Sequence, residues 1–241
     1  MNSIQSLFLT GTIFLFSACS EIEQQQSISQ KVDAAVTQLE ENISSYKKVV
    51  LLDHHRMAAE SGVYTPPSVV IMFSKPHVET ALLQENQLVG LDLPFKVLCY
   101  SEPDTLNSSI AFTSVGFISK RHGIAAPVLK DYQSIMASSL ASFPGEMISA
   151  TDISQVEKDF GIIKIKSDFD FHTTIKNLKE VVMSQGDTKW FGDVNYTSNA
   201  LTLGVKIRPT ILLLFGGPAP GGKAMMTSPK IGLDAFCQKL L

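Results

Sequence analysis

Asp53-His54-His55-Arg56 is the densest cluster of chemically active side chains in the sequence. A carboxylate next to an imidazole can orient a general base, and imidazole nitrogens can bind a metal ion. Adjacent residues on a strand point to opposite faces, so His54 and His55 are not expected to bind the same ion. Asp53 and His54 are therefore candidates for ligand binding or catalysis, and capping with local hydrogen bonding is the alternative.

Two aspartates, each ending a Gly-Leu-Asp triplet, are followed by a lysine at almost the same distance. A buried lysine near a carboxylate can take part in catalysis, whereas an ordinary ion pair is the simpler interpretation. The glycine of each triplet is expected to have a positive φ, and its aspartate to bond nearby backbone N–H groups. The predicted pairs, one in each half of the chain, are Asp92 with Lys96 and Asp234 with Lys239.

A glycine-rich loop near the end of the chain contains Gly216 and Gly217 and leads to Lys223 and a helical pattern. Backbone N–H groups at a helix start can hold an anion, and a lysine adds positive charge. The loop lacks the Gly-Lys-Ser/Thr ending of a P-loop. It predicts a site for a small anionic ligand, with a plain strand-to-helix turn as the alternative.

The elements that position these side chains are duplicated along the chain. Residues that turn the backbone or fill a core recur 142 positions later without a gap. A repeat this long is a whole small domain, because a solenoid unit has a period of about 20–50 residues. Gly62-Val63, Pro67, Phe73, Pro76 and Gly90-Leu91-Asp92 return as Gly204-Val205, Pro209, Phe215, Pro218 and Gly232-Leu233-Asp234.

Hydrophobic periodicity predicts the order of elements in each copy. An amphipathic helix comes first, followed by a strand, a short helix that ends at a left-handed glycine, and a buried inner strand. The predicted elements are helices over 32–43 and 175–182, strands Val49–Leu52, Val69–Phe73, Phe95–Tyr100, Ser109–Thr113 and Ile211–Phe215, and a closing helix over Ala126–Leu140.

The second copy is expected to be truncated. Gly161–Lys166 alternates apolar and basic residues and is predicted to be its opening strand. Few residues follow Asp234, so no segment matches the last strand and closing helix of the first copy. An unpaired strand edge and a bare apolar face recruit other chains. The second copy is therefore expected to be covered by residues 1–159, to self-associate through that edge, or to be marginally stable.

Strands and helices mix without strict alternation, which predicts an α+β fold with two tandem copies of a small domain. The 44% apolar and 18% charged composition is that of a globular protein. The predicted boundaries are a signal peptide over 1–18, a tether over 19–30, domains over 31–141 and 160–241, and a linker over 142–159.

The N-terminus is typical of an export signal. The apolar run Leu7–Phe16 is too short to cross a membrane, which takes about 20 residues. Small residues and Cys19 follow it, in a pattern that resembles the lipobox of bacterial lipoproteins. This resemblance implies lipidation of Cys19, a lipid anchor in the bacterial envelope and, from Ser20, the outer membrane facing the periplasm.

Charge and cysteine usage exclude several classes of function. The formal net charge is −3 and no basic stripe is visible, so no nucleic-acid partner is expected. His77, His122 and His172 are dispersed without metal-ligand spacing, so no metal or cofactor is predicted. Cys99 and Cys237 are interpreted as buried thiols, although an exported protein could pair them.

Four strings together resemble the bacterial family catalogued as domain of unknown function 302, in its tandem form, from about residue 31 to the end. The resemblance implies an antiparallel sheet with helices on one face, similar to the TATA-box-binding-protein-like fold, and it implies no activity or DNA binding. The strings are Leu51-Leu52-Asp53-His54-His55-Arg56-Met57-Ala58, Pro66-Pro67-Ser68-Val69-Val70, Gly90-Leu91-Asp92-Leu93-Pro94-Phe95 and Leu213-Leu214-Phe215-Gly216-Gly217-Pro218.

The sequence therefore favours a non-enzymatic envelope lipoprotein that binds a small ligand or a partner protein. The alternative is an envelope enzyme of unassigned reaction that uses Asp53, His54 and Lys96 in the first copy. Tyr196 replaces His54 in the second copy, so an enzyme would have one active copy. A metal or redox sensor that uses Cys99 is a third hypothesis.

Overall fold

The computed structural model describes residues 27–102, 105–149 and 152–241, except for the side chains of 235–237. The predicted signal peptide and the lipidation of Cys19 lie outside these residues. Two antiparallel sheets organise the described chain, one with four strands in the order β1-β2-β3-β4 and one with three in the order β5-β6-β7. With the surrounding helices they confirm the predicted α+β class.

The first copy runs from a helix, α1 (27–42), to the end of a closing helix. Two 3-10 segments, Gln87–Leu91 and Ala126–Leu129, precede β3 and α5, and a third, Gly145–Met147, follows α5. Its other elements are β1 Lys47–Asp53, α2 His54–Glu60, β2 Ser68–Ser74, α3 Pro76–Glu85, β3 Phe95–Ser101, β4 Ser108–Phe112, α4 Val115–His122 and α5 Lys130–Leu140.

The second copy repeats this order up to its third strand. A 3-10 segment, Pro229–Cys237, leads into that strand, which is only three residues long. Its elements are α6 Phe171–Met183, β5 Lys189–Asn195, α7 Tyr196–Thr202, β6 Ile211–Gly216, α8 Pro218–Met225 and β7 Gln238–Leu240.

Details of the backbone are duplicated along with the elements. The pairing of β1 with β2 shifts register after Lys48, and that of β5 with β6 shifts after Trp190. The short helices that follow end at Gly62 and Gly204, whose φ angles are 71° and 72°. A side chain is strained at such an angle, so glycine is needed at both turns.

The first copy holds most of the aromatic core. Phe73 on β2 is fully buried, with its ring centroid 5.5 Å from those of Tyr46 and Phe95. Phe95 in turn stacks on Tyr132 of α5 at 4.8 Å. The counterpart of Phe73, Phe215 on β6, is only partly buried. Both inner strands form as predicted, and the closing helix accounts for the deeper burial in the first copy.

Two features differ from the sequence prediction. Gly161–Lys166 forms no strand, because the segment makes no ladder hydrogen bonds and Ile163 and Ile165 are almost fully exposed. Helix α4 was not predicted, although Ser114 caps its start and Gly123 ends it in the left-handed region. Among the described helices, none has both the length and the apolar character needed to cross a bilayer.

Candidate functional site

The two copies face each other through equivalent surfaces. Helix α2 of the first copy packs against α8 of the second, and α3 of the first packs against α7 of the second. At Gly222 the approach is so close that an added Cβ would lie 2.6 Å from the Cβ of Ala58. Each side of the interface thus uses the same two helices, as in a two-fold symmetric dimer built from one chain.

The predicted candidate His54 lies in this interface. It is fully buried, and its Nε2 lies 2.7 Å from the carbonyl oxygen of Gly232 in the other copy. Its counterpart Tyr196 makes the mirrored contact, with its hydroxyl donating to the carbonyl oxygen of Gly90 at 3.0 Å. The replacement of histidine by tyrosine therefore keeps a hydrogen bond across the interface.

The glycines of the two Gly-Leu-Asp triplets lie close to side chains of the interface. An added Cβ would lie 2.7 Å from Leu241 at Gly90, and 2.6 Å from Met225 and 3.0 Å from His54 at Gly232. Neither glycine is among those with positive φ, so the predicted left-handed conformation is wrong.

A charged cluster crosses the same interface. It confirms the predicted pair of Asp234 with Lys239 and corrects the predicted pair of Asp92 with Lys96. Lys96 forms its ion pair with Asp234 of the other copy. Lys239 lies 3.6 Å from Asp92 of the other copy and 2.8 Å from Asp234 of its own. The two lysines occupy equivalent positions in their sheets, opposite Met72 and Leu214.

Asp92 is the centre of this cluster. Both of its oxygens accept hydrogen bonds from Arg121 Nη1 at 2.9 Å, and Oδ2 lies 2.6 Å from His122 Nε2. Burial alone would raise the pKa of Asp92, but the His122 hydrogen bond and the nearby cations hold it well below its ordinary value. Asp92 is therefore a carboxylate within a buried ionic network.

Arg121 and His122 were missed in the sequence because α4 was missed. The signal that could have found them is the run Lys120-Arg121-His122 between a serine cap and Gly123, which is typical of the last turn of a helix. Basic side chains in a last turn usually face solvent, and here the packing of α4 turns Arg121 and His122 inward. Arg121 and His122 are both buried.

The other three members of the cluster, Asp234, Lys239 and Lys96, also have perturbed pKa values. Burial raises the pKa of Asp234, but the charges of Lys96 and Lys239 outweigh it and lower that pKa to about 2. Burial and the neighbouring charge of Lys96 lower the pKa of Lys239. Burial alone would lower the pKa of Lys96, but the charge of Asp234 raises it. Because the two lysines share the same carboxylates, the charged form of Lys96 is favoured over that of Lys239.

Asp53, His54 and Lys96 do not converge on one point. Asp53 caps α2, accepting from the backbone N–H of Arg56 at 2.8 Å, and also pairs with the Arg56 guanidinium. His54 turns into the interface, and Lys96 pairs with Asp234. Each side chain is thus held by a different partner, with no shared place for a reacting atom.

The glycine-rich loop is a tight turn. Pro218 begins α8, and an added Cβ at Gly217 would lie 2.6 Å from Pro220 and 3.2 Å from the carbonyl oxygen of Asp187. Gly216 is buried at the end of β6, while Lys223 is exposed in the last turn of α8. Anion binding at this loop stays a prediction.

The same turn in the first copy holds a carboxylate. Glu79 is buried, and its oxygens accept from Ser74 Oγ at 2.9 Å and from the backbone N–H of Lys75 at 3.0 Å. Burial raises the pKa of Glu79 to about 7. Gly221 stands at this position in the second copy, so the two turns are built differently.

Cys99 is a free, buried thiol on β3. Burial raises the pKa of this thiol to about 12, which leaves it protonated and unreactive at neutral pH. Within residues 27–102, 105–149 and 152–241, no group of three or more histidine, cysteine, aspartate or glutamate side chains could hold a metal ion.

A groove of about 610 Å³ lies on the second copy. Its walls are α6, β7 and the extended segment 162–169, with a contribution from the 3-10 segment of the first copy. Most of the lining side chains are apolar, and none of the described lining side chains is acidic. Three lysines line the groove, Lys164, Lys166 and Lys239, of which Lys239 connects it to the charged cluster.

The groove lies where no described element of the second copy covers α6. In the first copy α1 is covered by α5, where Asn42 Nδ2 donates to the Ser139 carbonyl at 2.8 Å, and Leu39 is fully buried. The described part of the second copy has no counterpart of β4 or α5. Only Val182 is buried on α6, and Val181 is 59% exposed.

The buried state of His54 predicts an acid-sensitive interface. Burial lowers the pKa of His54 from 6.5 to about 4, so His54 stabilises the fold above pH 6.5 and this contribution is lost as pH falls towards 4. The loss amounts to about 3 kcal/mol, at 1.36 kcal/mol per pKa unit. We expect His54→Gln, which keeps a donor for Gly232, to lack this loss in urea unfolding from pH 7 to 4.

The titration of Glu79 is expected to change the stability of the fold with pH in the opposite direction to that of His54. Its raised pKa means that its contribution is lost as pH rises from 4.5 to about 7, opposite to that of His54. Glu79 is present in both proteins, so the difference between wild type and His54→Gln isolates the histidine. Parallel stability profiles for the two proteins would contradict the assignment.

The comparisons with known proteins identify related sequences. The family model described as "Domain of unknown function DUF302" matches residues 24–142 and 163–241, which confirms the predicted tandem form of this family. A crystal structure of an uncharacterized conserved DUF302 protein from Bacillus stearothermophilus has 21% identity and a TM-score of 0.41, covering 46% of this chain and 88% of that one.

Two curated relatives carry a functional name. The fluoride-specific ion channel FluC 1 of Brucella suis biovar 1 (strain 1330) and that of Brucella abortus biovar 1 (strain 9-941) are each 27% identical over 82 residues. The matches cover 34% of this chain and 31% and 29% of the two channels. The chain thus spans about a third of the length of these relatives.

Proposed function

We propose a non-enzymatic binding function for this chain, which belongs to the family of domain of unknown function DUF302. Its two copies act as one unit that binds a small anionic ligand in the groove of the second copy. The observation that carries the proposal is the groove itself, which is lined by apolar side chains and lysines, with no acidic side chain among its described lining residues.

The contacts of the polar candidates support a binding role over a catalytic one. His54 holds the Gly232 carbonyl, and Lys96 holds Asp234, so both act in joining the copies. A general base needs a pKa near the working pH, whereas the pKa of His54 is lowered to about 4. The position of His54 and Lys96 at the interface instead favours a structural role, in which they hold the two copies rigidly together and so support the binding surface.

The size and chemistry of the groove support a small ligand. Ligand sites are concave, mostly apolar and about 300–1,000 Å³ in volume, with a few polar groups that fix orientation. The groove has about 610 Å³ and three lysines. The channel activity named for the Brucella relatives is not part of the proposal, since those matches cover about a third of each channel.

The proposed place of action is the bacterial envelope. The apolar run before Cys19 supports export and lipidation there, and a lipid anchor would make the membrane the first partner of the chain. An outer-membrane lipoprotein facing the periplasm would present the groove to small molecules of that compartment.

The proposal is tested by analysing what the protein carries. We expect the chain, purified without detergent and examined by native mass spectrometry, to retain an anion that appears on organic extraction. Lys166→Glu should reduce its occupancy, because the reversed charge repels an anion in the groove. Lys176→Glu is the matched control. Lys176 lies on α6, which forms part of the groove wall, but it does not line the groove. Equal occupancy in both variants would contradict the site.

A further inference from the structure

We infer that the groove of the second copy takes a single-chain anionic amphiphile, a fatty-acid-like molecule with one acyl chain and a carboxylate head. This inference rests on the proposed function and names its ligand class. The tail would lie against the apolar side chains of α6 and segment 162–169, and the head would lie at Lys166.

The exposed apolar surface is concentrated at the groove. Ile163 and Ile165 are 86% and 87% exposed, and Phe169 and Val181 are 61% and 59% exposed. A cluster of exposed apolar side chains such as this one marks a binding site more often than it marks ordinary protein surface. An acyl chain matches such a groove because it buries apolar area along its whole length and needs no hydrogen bonds.

The lysines place a negative charge at one position. Lys164 is paired with Asp159 at 2.6 Å, and Lys239 with Asp234 at 2.8 Å. Within the described residues no carboxylate lies at ion-pair distance from Lys166, which also lines the groove. Lys166 is thus the groove lysine whose charge a ligand carboxylate would complement.

A second copy of the chain is a poorer occupant of the groove. Strand β7 leaves one edge unpaired in its sheet, which favours pairing with another strand. The edge has only three residues, however, and a symmetric dimer would bring the groove lysines of both protomers together. Like charges across an interface are destabilising. The predicted self-association is therefore an outcome to be tested against ligand binding.

Isothermal titration of the purified full chain with octanoate, decanoate and dodecanoate tests the inference. We expect one site, with affinity rising about two- to fourfold for each added methylene as apolar area is buried. Dodecanol, which has the tail without the charge, should bind more weakly than dodecanoate. Acetate, which has the charge without the tail, should not bind measurably.

Two variants separate the head from the tail. Lys166→Glu should weaken dodecanoate about fivefold or more and leave dodecanol unchanged. Val181→Asp should weaken both ligands, because it places a charge against the tail. Val181 is exposed, so the substitution is compatible with folding, and Leu201→Asp, on an exposed site of α7, is the matched control.

The possible outcomes distinguish the two proposals. Acetate or inorganic phosphate binding as tightly as dodecanoate would overturn the amphiphile inference and leave anion binding standing. Equal affinity for dodecanol and dodecanoate would overturn both. Binding only to phosphatidylglycerol vesicles would show that the groove is a membrane-docking surface. A concentration-dependent dimer that excludes dodecanoate would show that a second copy of the chain occupies the groove. Either result would overturn the amphiphile inference.

Discussion

Replacing Asp92 with asparagine is expected to lower the free energy of unfolding by about 3–5 kcal/mol. Asparagine keeps the shape of the side chain but removes the charge that faces Arg121, His122 and Lys239. Arg121 would then remain buried without its carboxylate, and an uncompensated buried charge is strongly destabilising. Urea unfolding at pH 7, followed by circular dichroism, measures the change.

Asp193→Asn is the matched control for this substitution. Asp193 also pairs with a cation, Lys179 at 2.6 Å, but both side chains are more than one-third exposed. An exposed ion pair contributes about 0–1 kcal/mol, so this variant should unfold almost like the wild type. Similar losses for the two variants would contradict the central role of Asp92.

Replacing Phe73 with alanine is expected to cost about 3–5 kcal/mol of stability. The ring is fully buried and lies between Tyr46 and Phe95, so alanine would leave a cavity and remove two aromatic contacts. Thermal or urea unfolding of the purified variant gives the measurement.

Phe215→Ala repeats the same change at the equivalent position of the second copy. Phe215 is partly buried, so less apolar area is lost and the surroundings are freer to relax. We expect a smaller loss than for Phe73→Ala. An equal or larger loss would mean that the second copy has a core as closed as that of the first.

Much of the fold was accessible from local patterns. The apolar runs that became β2 and β6 are continuous, and the turn glycines at 62 and 204 stand where a positive φ is needed. The alignment of Lys96 with Lys239 across one inserted residue also agrees with their equivalent positions in the sheets. These signals are local, because strands and turns depend on neighbours in the chain.

The opening strand predicted for the second copy shows where local patterns fail. The alternation of apolar and basic residues in Gly161–Lys166 is that of a half-buried strand. A strand also needs a partner edge, and the segment finds none among the described strands. Its apolar side chains therefore remain exposed and line a groove.

By itself, the sequence determined the duplication, the α+β class and the identity of the residues that carry charge at equivalent points of each copy. Only the tertiary structure decided how those residues pair. Each copy supplies an aspartate and a lysine, so pairing within a copy and exchange between copies have the same sequence pattern. The packing of one copy on the other selects the exchange for Lys96, because it brings Lys96 to Asp234, and His54 to the Gly232 carbonyl, across the interface. Lys239 keeps the pair with Asp234 of its own copy and also approaches Asp92.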